Sequence, residues 1–141
     1  MRTFTDKAGR TWMLDARLGT LKRVKALLGV DPLDVGTFAN ILESELFLGD
    51  VLWAFCREQA ERLGIDQTAF EEAIDGDVLG EAAEALIGEL LDFFRHPKHA
   101  AKREVLQTLL RLQQEAKTEA IQRAEKSLAA AIDNAMPIPG G

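Results

Sequence analysis

Two histidines, one cysteine and a scatter of carboxylates are the groups of this 141-residue chain whose types could do chemistry. Cys56 has no second cysteine, which removes an internal disulfide and a cysteine-based metal site. A reactive thiol wants a neighbouring base or a helix N-terminus, whereas Cys56 falls mid-segment among apolar residues, the setting of a packed core thiol. His96 and His99 lie three apart with no carboxylate or cysteine beside them, so they make a poor metal site and read as part of a solvated linker. Asp75, Asp77 and Glu81 invite comparison with a calcium loop. Such a loop needs Gly at its sixth position and Glu at its twelfth, but here Gly76 comes second and a helical pattern starts at once. Carboxylates capping a helix N-terminus explain the three more simply. Lys22, Arg23 and Lys25 could meet a phosphate, yet three bases on a short helix are the ordinary solvated face. With no Gly-rich phosphate loop, no nucleophile motif and no histidine paired with an acid at helical spacing, no enzymatic activity, cofactor or metal is expected.

What remains is periodicity. Over residues 78–94 the apolar side chains fall at Leu79, Ala82, Ala83, Leu86, Ile87, Leu90, Leu91 and Phe94, one side of an α-helix, with Glu81, Glu84, Glu89 and Asp92 on the other. Ordering such a segment costs as much backbone entropy as burying its stripe returns, so it is stable only when covered. It is expected as the central member of a helical core.

A hydrophobic content of 47% suffices for one core, and a formal charge of −6 argues against wholesale nucleic-acid binding, which needs surplus Lys and Arg. The charge is uneven. Residues 1–25 hold seven bases and two acids, residues 43–94 two bases and fourteen acids, and residues 95–126 eight bases and four acids. Either these are the solvated faces of helices, or an acidic body carries two basic flanks that fold onto it or meet a charged partner. No stretch approaches the roughly 18 apolar residues of a membrane span, and Met1-Arg2-Thr3-Phe4 runs into charged residues rather than an apolar run. The expectation is a cytoplasmic protein with no signal peptide and no membrane contact.

Residues 3–14 read as a β-hairpin in which Asp6-Lys7-Ala8-Gly9 turns with Gly9 in the left-handed region, placing Thr5 opposite Thr11 and Phe4 opposite Trp12. A two-stranded hairpin is marginal alone, so the Phe4/Trp12 face should lie on the helices; an exposed aromatic pair for a partner is the alternative. Thr20 is placed to cap a short helix carrying Leu21, Val24, Leu27 and Leu28, stopped by Gly29. Pro32 and Gly36 predict a loop over residues 30–36, followed by a helical turn over 37–42. A longer helix over 44–63 carries Leu48, Leu52, Phe55 and Gln59 on one line and Trp53, Cys56, Ala60 and Leu63 on the next, a face wide enough for two partners. Asp66 caps a short helix that turns Phe70, Ala73 and Ile74 inward, and residues 75–77 form the turn before the central helix.

After Pro97 no Gly or Pro occurs until Pro137, so residues 98–135 can form one helix of about 57 Å. That exceeds the roughly 30 Å span of a compact domain of the preceding length, so the helix must protrude or bend. Val105, Leu106, Leu109, Leu110 and Leu112 could cover the core. Farther on an alanine-rich stripe leaves few large side chains, and the candidate partner-binding set is Leu109, Leu112, Ala116, Ala120, Ile121, Ala124, Leu128 and Ile132, facing another protein or a second copy of the chain. The fold class is therefore mainly α, a small helical bundle with an N-terminal β-hairpin and a long C-terminal helix. Its expected organisation is a compact helical domain over 1–96, the long helix over 97–135 and a flexible tail over 136–141.

Two blocks carry a resemblance. Arg2-Thr3-Phe4-Thr5-Asp6 with Gly9-Arg10-Thr11-Trp12, then Gly19-Thr20-Leu21-Lys22-Arg23-Val24 and Gly29-Val30-Asp31, resembles the opening of small prophage tail proteins. The run of residues 70–77 with Ala85-Leu86 and residues 90–94 is similar to the middle of the same group, the phage tail assembly chaperones. The likeness spans residues 1–95. It implies a non-enzymatic protein that binds the tape measure protein, a long helical polypeptide, keeps it soluble while the tail assembles, and is absent from the finished virion. Some members are made in two lengths by ribosomal frameshifting. The family offers no functional residues to carry over, so the partner-binding set rests on the apolar stripe alone. Two other readings stand beside it: a structural tail or neck subunit of the virion, and an acidic mimic of DNA whose segment 43–94 blocks a basic protein.

Overall fold

The computed structural model describes residues 1–135; the expected tail, 136–141, lies outside the described residues. Strands β1 (Arg2–Thr5) and β2 (Thr11–Leu14) pair antiparallel with Phe4 opposite Trp12 and Thr5 opposite Thr11, the expected register. Gly9 at φ 81° lets the chain reverse, and its N–H donates to the Asp6 carbonyl at 3.0 Å. Phe4 and Trp12 are buried, so the aromatic pair is core and not an exposed partner site.

Five helices follow the hairpin: α1 (Leu18–Leu28), α2 (Val35–Glu43), α3 (Glu45–Leu63), α4 (Gln67–Glu72) and α5 (Gly76–Phe93). A 3-10 turn over Pro97–His99 occupies the expected linker and leads into α6 (Ala100–Ala135). Side-chain caps set several starts. Ser44, Asp66 and Asp75 accept from the N–H groups of Phe47, Ala69 and Val78. Asp75 caps as expected, but α5 begins at Gly76, inside the segment expected as turn. The Asp34 carboxylate takes the Gly36 N–H at 3.1 Å, which starts α2 at Val35, inside the segment expected as loop. Thr20 does not cap α1. The Arg17 carbonyl accepts the Leu21 N–H at 2.9 Å, so the helix is wound from Leu18 and Thr20 lies in its first turn. Gly29 stops α1 at φ 74° as expected.

The hub of the core is α3 rather than α5. Its two apolar lines let it touch α1, α2, α4, α5 and β2, while α5 touches both strands, α3 and α6. Leu63, placed on one of those lines, is exposed at the C-terminal end of α3. In α6 Leu106 enters the core, but Val105 and Leu112, expected to cover it, are about half exposed.

Glu89 departs furthest from the periodic pattern. Expected on the solvent face of α5, it is 5% exposed. Its carboxylate lies 2.8 Å from the Met1 amino group and 3.4 Å from Arg2 Nη1, and accepts the Ala16 N–H at 3.3 Å. Arg2 also donates to Asp92 at 2.6 Å, and that hydrogen bond holds the Asp92 carboxyl below its usual range. To get there the Arg2 side chain crosses α5 directly over Gly88, where a Cβ would stand 2.5 Å from Arg2 Nε. Lys7 reaches Asp75 at 3.0 Å. The basic N-terminal flank thus folds onto the acidic body, and across an interior edge its charge is matched locally.

Candidate partner-binding surface

Helix α6 engages the body through its first part only. Leu106 is in the core, Leu109 and Leu110 are half-buried, and Gln113 and Lys117 donate to the Leu42 carbonyl at the end of α2 at 3.3 and 3.4 Å. Beyond them every residue of 114–134 is exposed. A segment of that length extends about 30 Å at 1.5 Å per residue. It carries Ile121, Leu128 and Ile132 at 58%, 62% and 48% exposure, with alanines between them. Of the eight residues singled out from the sequence, Leu109 packs against the core, and Leu112, Ala116, Ala120, Ile121, Ala124, Leu128 and Ile132 are exposed along the rod.

The exposed stripe continues the side of α6 that faces the body. Leu110, Lys117, Ala124 and Ala131 are seven apart, as are Leu106, Gln113 and Ala120, and seven residues are nearly two turns. Apolar side chains exposed along one face of a helix make it the candidate interaction surface among the described residues.

At the root of the rod lies an apolar groove of about 370 Å³ where α2, α3, α5 and α6 meet. Ile41, Leu48, Leu79, Ile87 and Leu110 line it. A Cβ added at Gly76 or Gly80 would meet nothing within 4 Å, so that stretch of α5 is open at the groove. Sequence reasoning did not find this groove, although the spacing of Gly76, Gly80 and Ala83 along one side of α5 is its trace in the chain. A larger cleft of about 780 Å³ runs between β2, α1 and α3. Three of its four arginines are paired within the chain: Arg17 lies 2.7 Å from Asp15, Arg23 2.9 Å from Glu58 and Arg57 3.2 Å from Glu61.

The reactive residue types sit elsewhere. Cys56 is fully buried on α3, and burial pushes its thiol up to about 12. At pH 8 the thiolate is then about one part in ten thousand, so a thiol-specific disulfide reagent should label native protein only as fast as the protein unfolds. Immediate labelling without denaturant would contradict that burial. His96 and His99 are exposed with rings 6.3 Å apart, and His96 Nδ1 accepts the Lys98 N–H. Among the described residues no group of three or more His, Cys, Asp or Glu is placed to hold a metal, and no helix is long and apolar enough to cross a membrane. No family model matches the chain, and neither the curated proteins nor the solved structures contain a match to it.

Proposed function

We propose that the chain is a phage or prophage tail assembly chaperone, which binds the helical tape measure protein in the host cytoplasm and keeps it soluble while the tail forms. The observation that carries this reading is the rod. Its apolar face extends beyond the last body contact at Lys117, and among the described residues nothing covers it. A helical client could lay an apolar face along that stripe and end in the groove at its root, a helix-in-groove arrangement that needs no catalytic group. The ion-paired arginines of the large cleft and the buried thiol leave little for an enzymatic reading to use. The acidic-mimic reading loses ground because Glu89, Asp92 and Asp75 are engaged by the chain's own Arg2 and Lys7.

Removing residues 118–141 tests the reading, since the cut falls just past Lys117 and spares the body. Co-expressed with a tape measure fragment, the truncated chain should lose client recovery at least about tenfold, a change of about 1.4 kcal/mol, while its thermal midpoint stays within a few degrees. Undiminished recovery would rule out the rod as the client surface. Finding the chain in purified particles would favour a structural virion subunit instead.

A further inference from the structure

The exposed stripe of α6 is complementary to itself. Ile121 and Leu128 lie seven apart on one line, and Ala124 and Ala131 lie seven apart on the adjacent line, so a large and a small residue alternate along the seam in a heptad pattern. We infer that two copies of this chain pair antiparallel through their α6 rods, about a two-fold axis level with Lys126, to form a weak dimer. With the axis there, Ile121 faces the second copy's Ala131 and Leu128 faces the second copy's Ala124. Each large side chain meets a methyl, which lets the helices approach closely without a gap. A parallel pair would set Leu128 on Leu128 and Ala124 on Ala124, alternately crowded and hollow.

The free length of the rod fits the same axis. The last body contact is Lys117 and the described helix ends at Ala135, so residues 118–134 of one copy overlap 118–134 of the other, and the two bodies sit just beyond opposite ends. A stable interface buries roughly 800 Å² per partner. The overlap offers 17 residues a side, of which only those on the seam touch, against roughly 20–30 a side in a standard interface, so the dimer is dissociable and its stripe stays available. The arrangement carries one like-charge contact, Glu125 against its own copy beside the axis. It requires no client and does not rest on the chaperone reading; a full-length chain that dimerises yet recovers no tape measure fragment would count against that reading alone.

Sedimentation of the full-length chain from about 10 to 500 µM should show a monomer–dimer equilibrium. Ala124→Leu separates a close seam from a merely greasy rod. In the seam it overpacks against Leu128 and should weaken dimerisation at least about tenfold; on a loosely associating rod the added apolar area would strengthen it. Glu125→Gln should strengthen it severalfold. Ser127→Cys lies beside the axis and should give a disulfide-linked dimer on diamide oxidation, whereas Thr118→Cys, whose counterpart is 134, should not; buried Cys56 stays silent. A monomer at every concentration, a tighter Ala124→Leu dimer, or cross-linking at 118 in place of 127 would each overturn the inference.

Discussion

Replacing Asp6 with alanine is expected to destabilise the protein by about 3–5 kcal/mol, because one buried carboxylate holds the hairpin turn, the Trp12 indole and Arg10 together. Oδ1 accepts the backbone N–H groups of Ala8 and Arg10, each at 2.9 Å, and Oδ2 accepts Arg10 Nε and Trp12 Nε1, also each at 2.9 Å. Trp12 is 0% exposed, so without Asp6 its indole N–H has no water to turn to. Asparagine does not repair the site. Whichever way its amide is turned, an NH₂ faces two donors, so Asp6→Asn should still lose about 2 kcal/mol or more. Burial pushes the Asp6 carboxyl up, but the hydrogen bonds from Trp12 and Arg10 outweigh it and leave the group below its ordinary 3.8. A depressed native pKa means that this contribution is fully present above the unfolded carboxylate range and is lost as the pH falls through the native value. Urea midpoints measured from pH 7 down to pH 3 should therefore fall for the wild type below about pH 4, and fall less steeply for Asp6→Asn. Parallel profiles for the two proteins would show that Asp6 does not carry the acid sensitivity. Asp75 and Asp92, held low by the Val78 N–H and by Arg2 respectively, add slope of the same sign to both.

What could be seen of this in the sequence was the turn, not its interior. Asp6 to Gly9 announces a hairpin and fixes the register through local conformational preference, and the caps at Asp66 and Asp75 are equally local. The role of Asp6 as an acceptor for Trp12 requires knowing that the Trp12 face is covered, which depends on helices far along the chain. Glu89 shows the same limit more sharply. Periodicity places a carboxylate on the water side, and only partners far along the chain, the Met1 amino group, Arg2 and the Ala16 N–H, make an inward position favourable. The rod was legible as a helix with an apolar stripe because an uninterrupted helix is itself a local property. The point at which it leaves the body was not, since that is set by how far the Leu42 carbonyl reaches Gln113 and Lys117. Leu112 looked like core for the same reason: nothing in the sequence marks where the body ends.

Phe70→Ala should cost about as much as Asp6→Ala, about 3–5 kcal/mol, through a different mechanism. Helix α4 has six residues, too few to hold themselves, and Phe70 is its one buried side chain. The Phe70 ring stands edge-on to Trp12, with centroids 4.9 Å apart at 84°, and leans on Trp53 at 5.3 Å. Truncation would open a cavity beneath two indoles and remove two aromatic contacts at once. It would also loosen the tether between hairpin and helix, because the Lys7 N–H donates to the Ala73 carbonyl at 2.8 Å just past α4. A domain of this size is stable by roughly 5–15 kcal/mol, so the variant should unfold at a clearly lower urea midpoint. Phe70→Leu, which keeps most of the volume, should lose about 1.5 kcal/mol or less. Both tryptophans of the chain touch Phe70, so their fluorescence reports the same region directly. Leu128→Ala on the exposed rod should leave that signal and the midpoint of dilute protein unchanged. Equal losses from Phe70→Ala and Leu128→Ala would mean that the rod is packed into the body. The separation of a stabilising body from a binding rod, on which the functional reading depends, would then fail.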